Sequence, residues 1–421
     1  MNANEAHVVE RPPNGALTAP FAAGSLCCQI YSSFEGLDSL RTAWDDAVLA
    51  FNGSVYMTFD WCRIWWQFYG FGKRLCIAVF THDTRIVAVI PLYSDDLGIR
   101  PARVRVARLV GANIPPKVFN PPVDPAWAGP VFESLIKWLF ASGRCDIVSL
   151  GPISSLQTSF DVLPQVVSSL RHVVGAFSVE EGVHSVFWVP ATMEQYYEAL
   201  NKNQRKNRRK YELRLLKKDY EVVTDIVREP QAVAAEFERF APQHTAQWRC
   251  QGKPGHFGAW PRALEFNRAL VQAQSQLGRA RFLRILANGS VICSQYAFAL
   301  RDAYYWELPA RSVGEPWERF SLGPTGIVNM IAAGMQEGVQ RIEGGLAHYD
   351  YKVRLNAREH TTRTFRLISA RARTRISTGL LNFGRLGLLY GYHKIWYRRV
   401  VPRLPQRFSR AQWYGWLRLD F

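Results

Sequence analysis

Apolar spacing divides the chain into two stretches of mixed helix and strand. LDSLRTAWDDAVL (Leu37–Leu49) repeats its apolar positions at helical intervals, and FDWCRIWWQF (Phe59–Phe68) does the same with aromatic side chains. RLCIAVF–THDT–RIVAVI then reads as a hairpin: strands Arg74–Phe80 and Arg85–Ile90 about the turn Thr81–Thr84, the second stopped by Pro91. Val104–Val110 is a further strand, and GANIPPKVFNP after it is loop. Helices over Trp127–Ala141 and Phe160–Leu170 flank a strand at Cys145–Leu150, and Phe177–Trp188 makes one or two strands before Pro190 closes the stretch.

The second stretch repeats this logic. Met193–Leu200 and the basic run after it predict helices, Tyr220–Val227 a strand, and Glu229–Pro242 and Pro261–Gln276 two helices separated by the Gly-rich Gln251–Gly258. Ala280–Ala287, Val291–Leu300 and Ala303–Ala310 alternate as strands, the first two joined by the turn Asn288-Gly289-Ser290. Ser321–Gly334 reads as a Gly-broken loop entering a helix, and Gly338–Ile342 as a short strand. The expected class is therefore mixed α/β (α+β), with two similar units, each a mostly antiparallel twisted sheet flanked by helices. Residues 1–26 form a loose leader, 27–190 and 191–365 the two domains, and 366–421 a tail. No G-x-G-x-x-G or G-x-x-x-x-G-K-S/T occurs, so neither a dinucleotide domain nor a P-loop is expected.

At 421 residues and 48% hydrophobic, the chain can bury two or more cores. Its net charge of +17 is uneven. Residues 202–218 carry nine basic side chains against Glu212, and 361–421 carry thirteen against Asp420, which leaves the rest slightly acidic. A protein that coats nucleic acid would be basic throughout, so nucleic acid is not the expected partner. Seven scattered cysteines and nine histidines show neither a disulfide framework nor metal-ligand spacing. The first residues do not read as a signal peptide and no run is long enough for a membrane span, so the cytoplasm is the expected compartment. Leu380, Leu381, Phe383, Leu386, Leu388, Leu389, Tyr392, Ile395 and Trp396 form the apolar side of a basic amphipathic helix. Such a helix either caps the second domain or lies on an anionic membrane surface at the inner face.

Several motifs, in order, carry a resemblance. They are WCRIWWQFYG (Trp61–Gly70) with RLCIAVF and VAVIPL after it, and the N-x-R-x-x-R-R run Asn203–Lys210. His244-x-x-x-Trp248 with Gly252 and Gly255, Gly323-Pro324 heading a helix, and His348-Tyr-Asp-Tyr-Lys352 complete the set. Together, over residues 30–360, they resemble bacterial GNAT-superfamily acyltransferases of cellulose and exopolysaccharide production, which are similar to FemAB-like aminoacyltransferases. The Gly323-Pro324 order is reversed from the family's Pro-Gly. The resemblance implies tandem GNAT-like domains, acetyl-CoA or another acyl-CoA as donor, no metal, and a small-molecule, sugar or peptide acceptor. An aminoacyl-tRNA donor is the alternative, and a silent basic scaffold a third reading.

On that resemblance, Asn203, Arg205, Arg208, Arg209, Gly323 and Gly326 are donor-binding candidates, because guanidinium forks suit CoA phosphates. His244 is a candidate base or a buried hydrogen-bonded imidazole, with Trp248 on the same helical face. Tyr305 and Glu307 alternate on one strand and so share a side, Glu307 being either a base or the partner of an arginine. Gln295 on the preceding strand is a cleft candidate. Asp350 and Lys352 share a face if HYDYKVRL is extended, as catalytic groups or a structural ion pair, with Tyr351 a substrate contact. Direct acyl transfer needs alignment, a base and backbone donors, and no covalent nucleophile; the chain has no G-x-S-x-G.

Overall fold

The computed structural model describes residues 7–10, 26–112, 115, 117–141, 143–207, 217–253, 255–400 and 403. In chain order the strands are β1 His7–Glu10, β2 Leu26–Tyr31, β3 Arg74–His82, β4 Arg85–Leu97, β5 Val104–Leu109, β6 Ile147–Ser154 and β7 Val174–Trp188. They continue as β8 Val222–Val227, β9 Ala280–Ala287, β10 Ser290–Leu300, β11 Ala303–Arg311, β12 Arg341–Leu346 and β13 Arg358–Ser369. The helices are α1 Arg41–Ala50, α2 Phe59–Tyr69, α3 Ala128–Ala141, α4 Thr158–Ser169, α5 Met193–Ala199 and α6 Lys202–Asn207. After them come α7 Pro230–Arg249, α8 His256–Ala259, α9 Ala263–Gln276, α10 Leu322–Gln336, α11 Asp350–Arg354 and α12 Ala372–Tyr390.

These elements make two compact units, and neither is contiguous. Unit 1 takes Met1–Gly53, Gly70–Glu181 and Arg363–Phe421; unit 2 takes Ser54–Tyr69 and Gly182–Thr362. Both differ from the contiguous 27–190 and 191–365 division. The aromatic helix α2 explains part of the difference: Trp61, Phe68 and Tyr69 pack edge-on around Phe266 of α9 with centroids 5.1–6.1 Å apart. That burial ties α2 to the later chain. The tail also departs from expectation, because residues 358–369 are strand and Leu381 enters a core with Leu97, Val104, Val106 and Ile147. Within the leader, His7–Glu10 pairs in parallel with β2.

In unit 1, neighbouring strands run β1-β2-β3-β4-β5-β6, antiparallel from β2 to β5 and parallel at both ends of that run. β4 does not stop at Pro91. Pro91 pairs with Ile77, and its carbonyl accepts from Val110 N–H at 2.9 Å just beyond the end of β5. A proline's missing donor costs little where the neighbouring ladder ends.

In unit 2 the order is β7-β12-β11-β10-β9-β8. All neighbours are antiparallel except β11 and β12. The β9–β10 turn places Asn288 (φ 48°) and Gly289 (φ 76°) in left-handed geometry, as a two-residue hairpin requires. Pro242 does not end its helix: α7 runs from Pro230 to Arg249. Pro242 is exposed while Phe237, Phe240, Ala241 and His244 are buried. The carbonyl it leaves unbonded therefore meets water, and the apolar face continues uninterrupted. Ser321–Gly334 does enter a helix, but without the loop before it: α10 is helical from Leu322, and Pro324 falls in the first turn, where a missing N–H breaks no helical bond.

Candidate functional site

The parallel neighbours of unit 2 come apart. Among the described residues β11 and β12 pair at Ala303↔Arg341, Tyr304↔Ile342 and Tyr305↔Glu343, although β11 continues to Arg311 and β12 to Leu346. Both strands are irregular just past that last pair. Against β10, β11 skips Glu307, since Leu308 faces Tyr296 and Trp306 faces Ala297. Against β7, β12 spends the extra residue at Gly344-Gly345, where Gly345 has φ 80°. A bulge bends its strand, and two of them open a wedge between β11 and β12.

Glu307 sits at the mouth of this wedge. Its Oε1 accepts the Tyr56 hydroxyl at 2.8 Å, and the Tyr56 ring stands edge-on to Tyr305 at 5.5 Å. Tyr305 and Glu307 thus meet at one neighbour, Tyr56, through the bulge and not by the simple alternation expected of the strand. Burial, followed by the Glu307 charge, pushes the Tyr56 phenol up, so it remains a donor. Tyr56 lies in the turn before α2, and nothing in the local pattern marks it; only the long-range packing of α2 brings it here.

A largely buried polar cluster gathers on β12 and β7 of the same unit. Glu343 Oε2 meets His184 Nε2 of β7 at 2.7 Å, and its Oε1 accepts from Arg341 Nε at 2.9 Å. Arg341 Nη1 also reaches Asp302 at 3.2 Å. Burial acts to raise the Glu343 carboxyl, but the hydrogen bonds and charges of His184 and Arg341 outweigh it and hold the group low. Sequence reasoning missed this cluster. Its signal was RIE in a strand, where two charged side chains on one face of a buried sheet require partners.

Lys352 and Asp350 do not share a face. α11 makes the segment helical, so Asp350 is exposed and pairs with His348 at 3.1 Å, while Lys352 is buried. Lys352 Nζ donates to Gly344 O at 2.7 Å, fixing the β12 bulge, and burial pushes its ammonium down to about 8. Tyr351 is half exposed and pairs with the Tyr349 ring.

His244 is fully buried with both ring nitrogens engaged: Nδ1 lies 2.6 Å from Pro309 O and Nε2 lies 3.1 Å from His256 Nδ1. Gln247 Oε1 accepts from Arg311 N–H at 3.0 Å. Two α7 side chains therefore satisfy backbone groups of β11 past its pairing with β12, which keeps the wedge open. Of the two expectations for His244, the structure shows the buried, hydrogen-bonded imidazole. Burial pushes its imidazole down to about 4 from an ordinary 6.5. As pH falls through that window the unfolded chain binds the proton and the folded chain does not. Stability should drop by about 3 kcal/mol between pH 6.5 and 4. Urea titration across that range measures the drop, and His244→Gln should flatten it.

The donor-binding candidates separate. Arg205 Nη2 donates to Glu198 O and Leu200 O, closing the end of α5, so its fork is occupied by backbone; Asn203 is exposed. Arg208 and Arg209 lie outside the described residues. Gly326 faces the sheet: a Cβ there would stand 2.3 Å from Gln295 Nε2 and 2.6 Å from Cys293 Sγ. Gly326 and Gln295 are thus matched across the α10–β10 contact, and fully buried Gln295 belongs to that contact rather than to a cleft. Trp248 packs on Gly255 and His256. Gly323 is different. It lies in the first turn of α10, Ser321 makes no side-chain cap there, and a Cβ added at Gly323 would stand 3.9 Å from Arg311 Cδ. Uncapped N–H groups beside an arginine suit a phosphate. No cluster able to hold a metal ion occurs among the described residues.

Residues 202–353 match the family described as acetyltransferase (GNAT) domain. None of the curated proteins matches the chain. Among solved structures, FemX is similar with a TM-score of 0.55 at 10% identity, over 77% of this chain and 95% of that one. A conserved protein of unknown function from Bacteroides thetaiotaomicron VPI-5482 is similar with a TM-score of 0.50 at 10% identity, over 80% and 99%. Those likenesses are of fold. They cover both units, and the family match covers most of unit 2 with its wedge.

Proposed function

We propose, from the match of residues 202–353 to the acetyltransferase (GNAT) domain family, that the chain transfers an acyl group from acyl-CoA to an amine or hydroxyl of a sugar- or peptide-like acceptor. The observation that carries this reading is the wedge. Two bulged parallel strands leave a slot between them that suits an extended donor arm. The first turn of α10 at Gly323, with Arg311 beside it, suits the donor's phosphates. Acyl-CoA supplies an activated thioester carbonyl. As the acceptor's N or O bonds to the acyl carbon and the thioester C–S bond breaks, Glu307 accepts the proton the acceptor loses and passes it to solvent, from which the departing CoA thiolate is protonated; Tyr56 holds the carboxylate in place. Backbone N–H groups of β11 at the bulge stabilise negative charge on the carbonyl oxygen.

Calorimetric titration of acetyl-CoA tests the reading. Saturable binding is expected, and Arg311→Ala should weaken it about tenfold, the value of one charge-assisted hydrogen bond. No heat at millimolar donor would sink it. A second donor class, aminoacyl-tRNA, is favoured by one observation, the nine basic residues in 202–218. Displacement of acetyl-CoA by charged tRNA, or binding of charged tRNA alone, would replace the first donor with the second.

A further inference from the structure

Helix α12 of unit 1 is amphipathic the wrong way round for a helix that only caps a core. Its inward side is made of small polar groups. Thr374 donates to Asp146 Oδ1 at 2.8 Å, Ser377 donates to Pro101 O at 2.9 Å, and Thr378 is buried beside them. Leu381 is the apolar side chain that this face sends into the core. The large apolar residues point the other way: Ile376 is 64% exposed, Phe383 81% and Tyr390 64%, with Leu380 at 45%. Spaced by four, three and seven, these four lie along one stripe. Glycines 379, 384 and 387, interspersed along the same helix, have nothing within 4 Å of where a Cβ would stand, so the described chain does not cover this surface.

Charge selects what does cover it. From Ala372 to Val400 there is no Asp or Glu, and Arg373, Arg375, Lys394, Arg398 and Arg399 are all exposed. A second copy would set this all-basic surface against itself. No described helix is long and apolar enough to cross a membrane, which leaves a surface position for α12. An apolar stripe flanked by cations and lying along a helix fits an anionic lipid surface, with the stripe among the acyl chains and the arginines at the headgroups. We infer that α12 docks the protein on an anionic bilayer through Ile376, Leu380, Phe383 and Tyr390. This docking is independent of the acyltransferase reading.

Vesicle co-flotation of the full chain tests it. Binding is expected to phosphatidylcholine vesicles that contain phosphatidylglycerol, to weaken with added salt, and to be slight without the anionic lipid. Phe383→Ser and Leu380→Ser, both at exposed positions and so compatible with folding, should each lower vesicle affinity at least about tenfold. Arg373→Gln with Arg375→Gln should lower it on anionic vesicles only. Equal vesicle binding by wild type and Phe383→Ser would overturn the inference. So would a dimer in sedimentation that Phe383→Ser dissociates, because that would make a second copy the occupant.

Discussion

Glu307→Gln lowers kcat by about 10²–10⁴-fold and leaves acetyl-CoA affinity unchanged; that is the expected result if the wedge holds the reacting centre. The substitution keeps shape, and the amide oxygen can still accept the Tyr56 hydroxyl, which now stands 2.8 Å from the carboxylate. What disappears is the ability to take a proton. A purely structural glutamate would therefore survive the change with activity near wild type, and that outcome would remove Glu307 from the chemistry. Tyr56→Phe gives a second, smaller signature. The hydroxyl holds Glu307 without touching the acceptor, so kcat should fall while KM stays, by the roughly tenfold or more that a hydrogen bond to a charged group is worth.

The largest stability effect is expected at Glu343. Its carboxylate is buried between His184 and Arg341, at 2.7 and 2.9 Å. Glu343→Leu takes the carboxylate away from His184 and leaves Arg341 with Asp302 alone, and breaking a buried pair of this kind costs about 3–5 kcal/mol. For a domain held by only about 5–15 kcal/mol, that is a large share. The urea midpoint of unit 2 should fall accordingly. Adding His184→Leu to Glu343→Leu should recover part of the loss, since one stranded polar group then disappears. A Glu343→Leu protein with an unchanged midpoint would mean that the cluster contributes nothing to holding the sheet together.

What could be read from the sequence was whatever depends on near neighbours. The β3–β4 and β9–β10 hairpins follow from alternation and from Asn288-Gly289, and α1, α2, α3 and α9 follow from apolar spacing. The failures are equally local in origin. Pro91 and Pro242 look like breaks in the sequence, yet each sits where its missing donor has little to bond: at the end of a ladder, and on a solvent face. HYDYKVRL would put Asp350 and Lys352 on one face only if extended, and α11 turns the two to different surroundings. The site was legible only in part. Glu307 and Tyr305 stood out by type and spacing. Tyr56, His184 and Glu343 did not, because the contacts that give them meaning join residues 56 with 307 and 184 with 343. Arg205 drew notice for its charge, whereas its hydrogen bonds to Glu198 O and Leu200 O make it a helix stop.

The way the chain threads its two units has a consequence for synthesis. Unit 1 needs residues 363–390, and unit 2 needs Ser54–Tyr69 from near the start. On the ribosome, Tyr56 and the aromatic face of α2 emerge well before Phe266, Tyr305 and Glu307, and must wait uncovered until those residues are made. Unit 1, begun first, closes last. Contacts so distant in sequence fold slowly and leave apolar surface exposed in the interval. A nascent chain of this design has reason to depend on chaperones. A fragment of residues 191–365 expressed alone would lack the hydroxyl that holds Glu307.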